Sequence, residues 1–202
     1  MKYFYSILAI LFVFSTVALA NEESPSDNPW VMNFNGLLGF RALDKEDWSP
    51  KDKQIAGGIE FDFRKKQWPV SFLVGVLSSN HDNSNSYYGR RRYNDDSYLT
   101  EGYLGIRKYF DINGSFFPYI SLGGSYIGAS VCDCNHYKNE EQSDSSFGYF
   151  GSIGGIFKQP LEIGSMNLGF DIRGLGGTSM NLLNKDVQAD YVQLSFVMGF
   201  GW

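Results

Sequence analysis

From Tyr191 to Trp202 the chain alternates. Val192, Leu194, Phe196, Met198, Phe200 and Trp202 are bulky and apolar, and between them, starting from Tyr191, stand Gln193, Ser195, Val197, Gly199 and Gly201. Successive side chains of a strand point to opposite faces, so this segment has one greasy face and one polar or small face. Such a strand suits hydrocarbon on one side and a polar or crowded interior on the other. The same pattern recurs near residues 30–41, 54–64, 68–78, 98–110, 116–128, 147–158, 163–175 and 190–202. Each is close to the roughly 9–11 residues that cross a bilayer as a tilted strand. An even number of antiparallel strands closes without an edge, and hydrocarbon offers no partner to an unpaired backbone group. The expected fold class is all-β: a closed antiparallel up-and-down transmembrane β-barrel of about eight strands.

The connections alternate as well. Long polar loops at 42–53, 79–97, 129–146 and 176–189 are separated by short joins at Arg64–Gln67, at Asp111–Ser115 and near Gln159–Pro160. Long and short ends therefore segregate to opposite mouths, the asymmetry of barrels with short periplasmic turns and long external loops.

At the start of the chain, Lys2, an apolar stretch from Ile7 to Val17 and then Ala18-Leu19-Ala20 have the layout of a cleaved export signal. The expected organisation is a signal peptide at 1–20, a short periplasmic segment at 21–29 and a barrel at 30–202. No Cys follows the proposed cut, which disfavours a lipid anchor. Loss of Lys2 leaves 16 basic residues against 22 acidic ones, a balance that argues against nucleic acid as a partner. Composition fits: 23 glycines and 17% aromatics against 6 prolines disfavour both disorder and helices.

With the apolar faces turned to lipid, Arg41, Glu60, Asp62, Arg64, Glu101, Arg107, Asp171 and Arg173 point inward. Four positive and four negative charges allow each a partner, which charges removed from water require. Asn33, Asn35, Ser121, Ser125, Ser152, Gln193 and Ser195 would supply further hydrogen bonds. An eight-stranded barrel is just wide enough for its own side chains, so a polar plug is expected rather than a sizeable pore. Gly57, Gly58, Gly123, Gly124, Gly154 and Gly155 would relieve crowding. Trp30, Trp68, Phe110, Phe116, Phe117, Phe157 and Trp202 all fall at the short-turn mouth and would form an aromatic girdle there.

Three clusters offer other chemistry. Cys132, Cys134 and His136 share one side of an extended chain; thiolate and imidazole suit Zn or Cu(I), but no fourth ligand is evident, and export favours a disulfide within or between chains. Arg90-Arg91-Arg92 beside Tyr87, Tyr88 and Tyr93 could grip phosphates, although Asp95 and Asp96 are close enough to neutralise them. His81-Asp82 near Ser78, Ser79 and Ser84 lacks a G-x-S-x-G elbow and any fixed base beside a nucleophile. No catalytic residue, metal site or cofactor is assigned.

The export signal, the alternating loops, the ending Leu194-x-Phe196-x-Met198-x-Phe200-x-Trp202 and the hairpin formed by Glu101–Phe110 and Phe117–Gly124 resemble the small OmpA/OmpX-like outer-membrane β-barrels, over essentially all of residues 21–202. The resemblance implies an outer-membrane location in a Gram-negative envelope. It also implies contact with outer-membrane lipids and lipopolysaccharide, and a role for Leu194, Phe196, Met198, Phe200 and Trp202 as the signal read by the assembly machinery. Unlike OmpA itself, the sequence offers no peptidoglycan-binding domain after Trp202, and the motifs of lipid A acyltransferase and deacylase barrels are not recognisable. The expected role is a non-enzymatic, monomeric surface protein whose loops serve adhesion, binding or envelope integrity, with a lipid A-modifying enzyme or a small pore as alternatives.

Overall fold

A computed structural model describes residues 29–49, 51–81, 97–135, 138–182 and 185–202. The proposed export signal, the Arg90-Arg91-Arg92 run, Asp82, Ser84 and His136 lie outside the described residues. Eight strands close a barrel: β1 (Trp30–Leu43), β2 (Lys53–Lys65), β3 (Ser71–His81), β4 (Ser97–Tyr109), β5 (Phe116–Asn135), β6 (Lys138–Pro160), β7 (Ser165–Gly176) and β10 (Tyr191–Gly201). Each pairs antiparallel with its neighbours in chain order, and β1 pairs with β10 to complete the ring. A helical turn, α1 (Lys45–Trp48), sits in the first long loop, and a small hairpin of β8 (Met180–Leu182) and β9 (Lys185–Val187) sits in the last.

The alternation dictates which way each strand faces. Phe40 is 72% exposed and its neighbour Arg41 1%. On β10, Val192, Leu194, Phe196, Met198 and Phe200 are exposed, whereas Tyr191, Gln193, Ser195 and Val197 are buried. Leu38 and Phe40 of β1 stand opposite Phe196 and Leu194 on the outer wall. A belt of exposed Leu, Ile, Val and Phe runs over every barrel strand. Soluble monomers rarely show so large an apolar surface, and hydrocarbon is the solvent that stabilises it.

The short connections fold for local reasons. In the join before β5, Gly114 (φ 73°) takes a left-handed conformation, its amide donates to Asp111 Oδ1 at 2.8 Å, and Asn113 Oδ1 accepts from the amides of Ser115 and Phe116. Gly164 (φ 93°) does the same work before β7, where the Leu161 amide donates to its carbonyl.

Most strand ends shift by a residue or two from the sequence reading, and two places differ by more. The third strand begins at Ser71, not at residue 68, because the Trp68 amide is used in a turn to the Lys65 carbonyl and Pro69 has no N–H for a ladder. The expected third long loop at 129–146 is largely strand: β5 and β6 stay paired from Phe116↔Phe157 out to Asn135↔Lys138. There the hairpin leaves the lipid, so hydrophobic alternation no longer marks it.

Candidate functional site

The lumen is organised in tiers. In the outer tier Glu101 from β4 holds two guanidiniums. Arg41 Nη2 donates to Glu101 Oε2 at 3.1 Å and Arg173 Nη2 to Oε1 at 2.6 Å. Tyr191 and Ser125 hydroxyls donate to the same carboxylate, and Arg41 Nε donates to Gln193 Oε1 at 2.9 Å. Aromatic rings flank the cations: Arg41 lies 3.8 Å from the Tyr191 ring centroid, and Arg173 sits between Tyr103 and Phe150 at 3.9 and 3.7 Å. Arg41 of β1, Glu101 of β4 and Arg173 of β7 are far apart in sequence but meet inside the barrel.

In the inner tier Arg107 forms a two-pronged pair with Glu60, Nη1 to Oε1 and Nη2 to Oε2 at 2.9 Å, the geometry that a planar guanidinium matches best. Its Nε donates to Ser121 Oγ at 2.8 Å. Asp62 accepts from Tyr109 OH at 2.7 Å and Asn33 Nδ2 at 2.9 Å, and Asp171 accepts from Tyr119 OH at 2.9 Å. Tyr103 joins the tiers: its hydroxyl donates to Glu60 at 3.0 Å while its ring stacks on Arg173. Nearest the short-turn mouth, Asn33 Oδ1 accepts from Asn167 Nδ2 and from Lys158 Nζ at 3.1 and 3.0 Å.

The structure brings Arg41, Glu60, Asp62, Glu101, Arg107, Asp171 and Arg173 together inside the barrel, all buried. Arg64 does not join them. It is half-buried at the short-turn mouth, where Nη1 donates to the Trp68 carbonyl at 3.3 Å; by the end of β2 the chain is turning and a long side chain meets the connection. Lys158 enters the lumen instead, because it shares a face of β6 with Ile156 and Ser152. Its sequence neighbourhood at a strand end hides it, but the parity of β6 exposes it.

At the short-turn mouth Trp30, Phe63, Trp68 and Phe72 form edge and tilted ring contacts 5.6–6.2 Å apart, and Phe116 stacks on Phe157 at 4.5 Å. Phe110 and Trp202 are exposed at the same end, and Lys65 Nζ lies 5.3 Å from the Trp30 ring. Phe117 does not belong to this girdle. Consecutive strand residues cannot share a face, and Phe117 points inward with Tyr119, beneath Lys158 at 5.5 Å. Trp202 zips onto β1 through Met32, whose amide donates to the Trp202 carbonyl at 2.8 Å and whose carbonyl accepts at 3.0 Å. Leu194, Phe196, Met198 and Phe200 all lie on the outer face.

The long-loop mouth carries an apolar cap that the polar look of its loops conceals. Trp48 from α1 and Met180, Leu182, Val187 and Ala189 from the last loop are buried together with Leu43, Leu99 and Val131 of the strand ends. The cap is tied down at both sides of one contact: Trp48 Nε1 donates to the Gln188 carbonyl at 2.6 Å, and the Gln188 amide donates to Asp47 Oδ2 at 2.8 Å. Asp190 accepts from the amides of Gly177 and Thr178 and from Thr178 Oγ1, and that hydroxyl accepts from the Ala189 amide. Of the residues weighed for nucleophilic chemistry, Ser79 Oγ donates into the lumen to Gln54 Oε1 at 2.6 Å, and His81 Nδ1 meets the Lys53 carbonyl at 2.8 Å. They do not form a serine–histidine pair. Cys132 and Cys134 lie on the extended part of β5, and their side chains are outside the described set.

No protein-family model matches the sequence, and no curated protein matches it. Solved structures do. Neisserial surface protein A is 13% identical, with a TM-score of 0.56 over 86% of this chain and 97% of its own. Ail, the attachment invasion locus protein of Yersinia pestis, is 10% identical, with a TM-score of 0.53 over 86% of this chain and 97% of its own. A major outer membrane protein from Thermus thermophilus is 12% identical, with a TM-score of 0.50 over 86% of this chain and 99% of its own. The chain has the fold of the OmpA/OmpX-like outer-membrane β-barrels.

A second group of exposed aromatics, not marked as a girdle by the sequence reading, stands ten residues along β6 from Phe157, where outer-membrane barrels carry aromatic residues at the far lipid interface. It consists of Tyr126, Phe147 and Tyr149, all exposed, with Tyr126 and Phe147 in ring contact at 4.8 Å. Phe147 and Phe157 are ten residues apart on β6. At roughly 3.3 Å per residue and a tilt of about 40°, that separation spans about 25 Å of membrane normal, the height of an outer-membrane apolar band.

Proposed function

We propose that this chain is an exported outer-membrane protein, its signal at residues 1–20 removed, that acts without catalysis as a rigid surface barrel presenting its long loops for binding, adhesion or envelope integrity. The observation that carries the reading is the combination of a filled lumen and a latched mouth. Glu60, Asp62 and Glu101 are engaged with Arg41, Arg107 and Arg173, Asp171 accepts from the Tyr119 hydroxyl, and the apolar cap of Trp48 and the last loop covers the external end. Such a molecule exposes to the medium mainly its loop surfaces and the long β5–β6 hairpin, so recognition there is the work left for it. Ail is described by its name as an attachment invasion locus protein and has been crystallised with the heparin analogue sucrose octasulfate, which supports extracellular ligand contact for this architecture. Its loops, not its fold, would choose the ligand. In this reading the barrel is a monomer in contact with lipopolysaccharide and is delivered by the assembly machinery through the outer-face series ending at Trp202.

The test is gel migration of boiled against unboiled sample from an isolated outer-membrane fraction. A closed barrel that resists detergent shifts on heating; recovery in the soluble fraction without detergent would refute the proposal. Mass spectrometry of lipid A from cells with and without the gene addresses the non-catalytic part. Matching spectra are expected, and a changed acyl or phosphate pattern would assign an enzyme instead.

A further inference from the structure

We infer that the outer wall just above the upper aromatic group of Tyr126, Phe147 and Tyr149 carries a seat for one sugar ring of a neighbouring glycolipid headgroup. This rests on the membrane placement proposed above. Three strands tile the wall in register. Gly102, Tyr126 and Phe147 form the row at the lipid boundary; Thr100, Gly128 and Ser145 form the next; Tyr98, Ser130 and Ser143 form the one above. A groove of about 380 Å³ opens over these upper rows, at the small end of ligand sites. Gly128 is its floor: a Cβ there would come no closer than 4.0 Å to the carbonyl oxygens of Asp144 and Thr100.

The lining selects the ligand class. Hydroxyls of Tyr98, Thr100, Ser130, Ser143 and Ser145 line it; a hydroxyl already bonded to a neighbour, as Tyr98 is to Ser78 and Thr100, and Ser145 to Tyr126, keeps capacity for a further bond, which suits a ring of sugar hydroxyls. Below them Tyr126, about half exposed and tied through its hydroxyl to Ser145 Oγ, offers an aromatic face to the apolar C–H side of such a ring. A phosphate would call for Arg or Lys, and among the described residues neither lines the groove. The nearby Asp144 carboxylate is engaged by the amides of Asn181 and Ser145 at 2.6 and 2.7 Å. An added peptide strand would need a free sheet edge, but β4, β5 and β6 are hydrogen-bonded to one another at this level. The groove faces sideways, along the membrane plane, directly beyond the Tyr126 and Phe147 side chains that stand at the lipid boundary. Its natural occupant is therefore a lipid of the same leaflet rather than a polymer arriving from the medium.

Native mass spectrometry from a non-glycosidic detergent tests this, with equal amounts of a monoglucosyl diacylglycerol and a phosphatidylglycerol of identical acyl chains. Wild type is expected to retain the glycolipid about tenfold over the phospholipid, the effect of one or two net hydrogen bonds. Gly128→Trp, which fills the groove without backbone collision, is expected to bring the ratio to about one, and Tyr126→Leu to lower it severalfold. Equal retention by wild type, preference for the phospholipid, or a preference surviving in Gly128→Trp would overturn the inference. So would competition by methyl glucoside at the concentration of the glycolipid, since the ligand would then be soluble sugar. Heat-dependent gel migration of wild type and Gly128→Trp is read separately: failure of wild type to shift rejects the membrane placement, whereas a normal shift with no glycolipid preference rejects the groove alone.

Discussion

Replacing Glu101 by Gln removes the one negative charge that Arg41 and Arg173 share at the centre of the outer tier. The side chain is fully buried, and so is Arg41. Glutamine keeps the shape, and its carbonyl oxygen can still accept from Arg173 and Ser125. Its amide nitrogen would then face Arg41 Nη2 and the Tyr191 hydroxyl, donor against donor. Two charge-assisted bonds lost at roughly 1.5–3 kcal/mol each agree with the about 3–5 kcal/mol expected when one member of a buried ion pair is removed. The measurement is reversible urea unfolding in phospholipid vesicles, followed by tryptophan fluorescence and by the heat-sensitive gel band. Arg41→Met and the double variant complete a cycle, with an expected coupling of about 1.5–3 kcal/mol between the two positions. A loss below about 1 kcal/mol for Glu101→Gln would refute the idea that this carboxylate neutralises the tier.

Gly199→Ala should destabilise the β1–β10 seam by about 1–3 kcal/mol, because its Cβ would collide with the Phe34 carbonyl and the Asn35 side chain; Gly102→Ala, with open space around it, should be near neutral in the same unfolding assay. Trp48→Ala removes a buried ring and its bond to Gln188, so protease should cut within 176–189 much faster while the barrel band keeps its heat shift; unchanged cleavage would show that the cap does not depend on this latch. Spin labels at Leu194 and Phe196 should report lipid-dissolved oxygen, and labels at Gln193 and Ser195 should not; the reverse pattern would invert the barrel. Planar-bilayer recording of purified monomer should give no stable nanosiemens steps, since the lumen carries Arg107–Glu60 and Arg41–Glu101–Arg173 across its width.

The barrel was legible wherever one face of a strand meets acyl chains. There the solvent imposes a period of two, and Phe40 next to Arg41 is as readable in sequence as in space. Legibility ends with the lipid. The sequence of residues 129–146 shows no apolar–polar alternation, so nothing in its hydropathy announced that β5 and β6 continue to Asn135 and Lys138. The paired Phe116 and Phe117 read alike as aromatics, and only the register set by Tyr119 sends one outward and the other in. Trp48, Met180 and Val187 lacked any period because they converge from separate loops onto one cap. The hydroxyl groove was invisible for a related reason: Tyr98, Gly128 and Ser143 come from three strands and become neighbours only through cross-strand pairing.

The β1–β10 seam has a consequence for assembly. It joins the two extremes of the ring, Asn33 to Gly201 and Leu43 to Tyr191, so every other hairpin can zip locally while two raw margins of amide and carbonyl wait until the whole circuit is present. Inside an oily slab such margins are intolerable. An arc missing any one stave would be rejected from the bilayer rather than stored there as a partial product, which makes insertion an all-or-nothing event governed by the slowest, longest-range docking in the molecule.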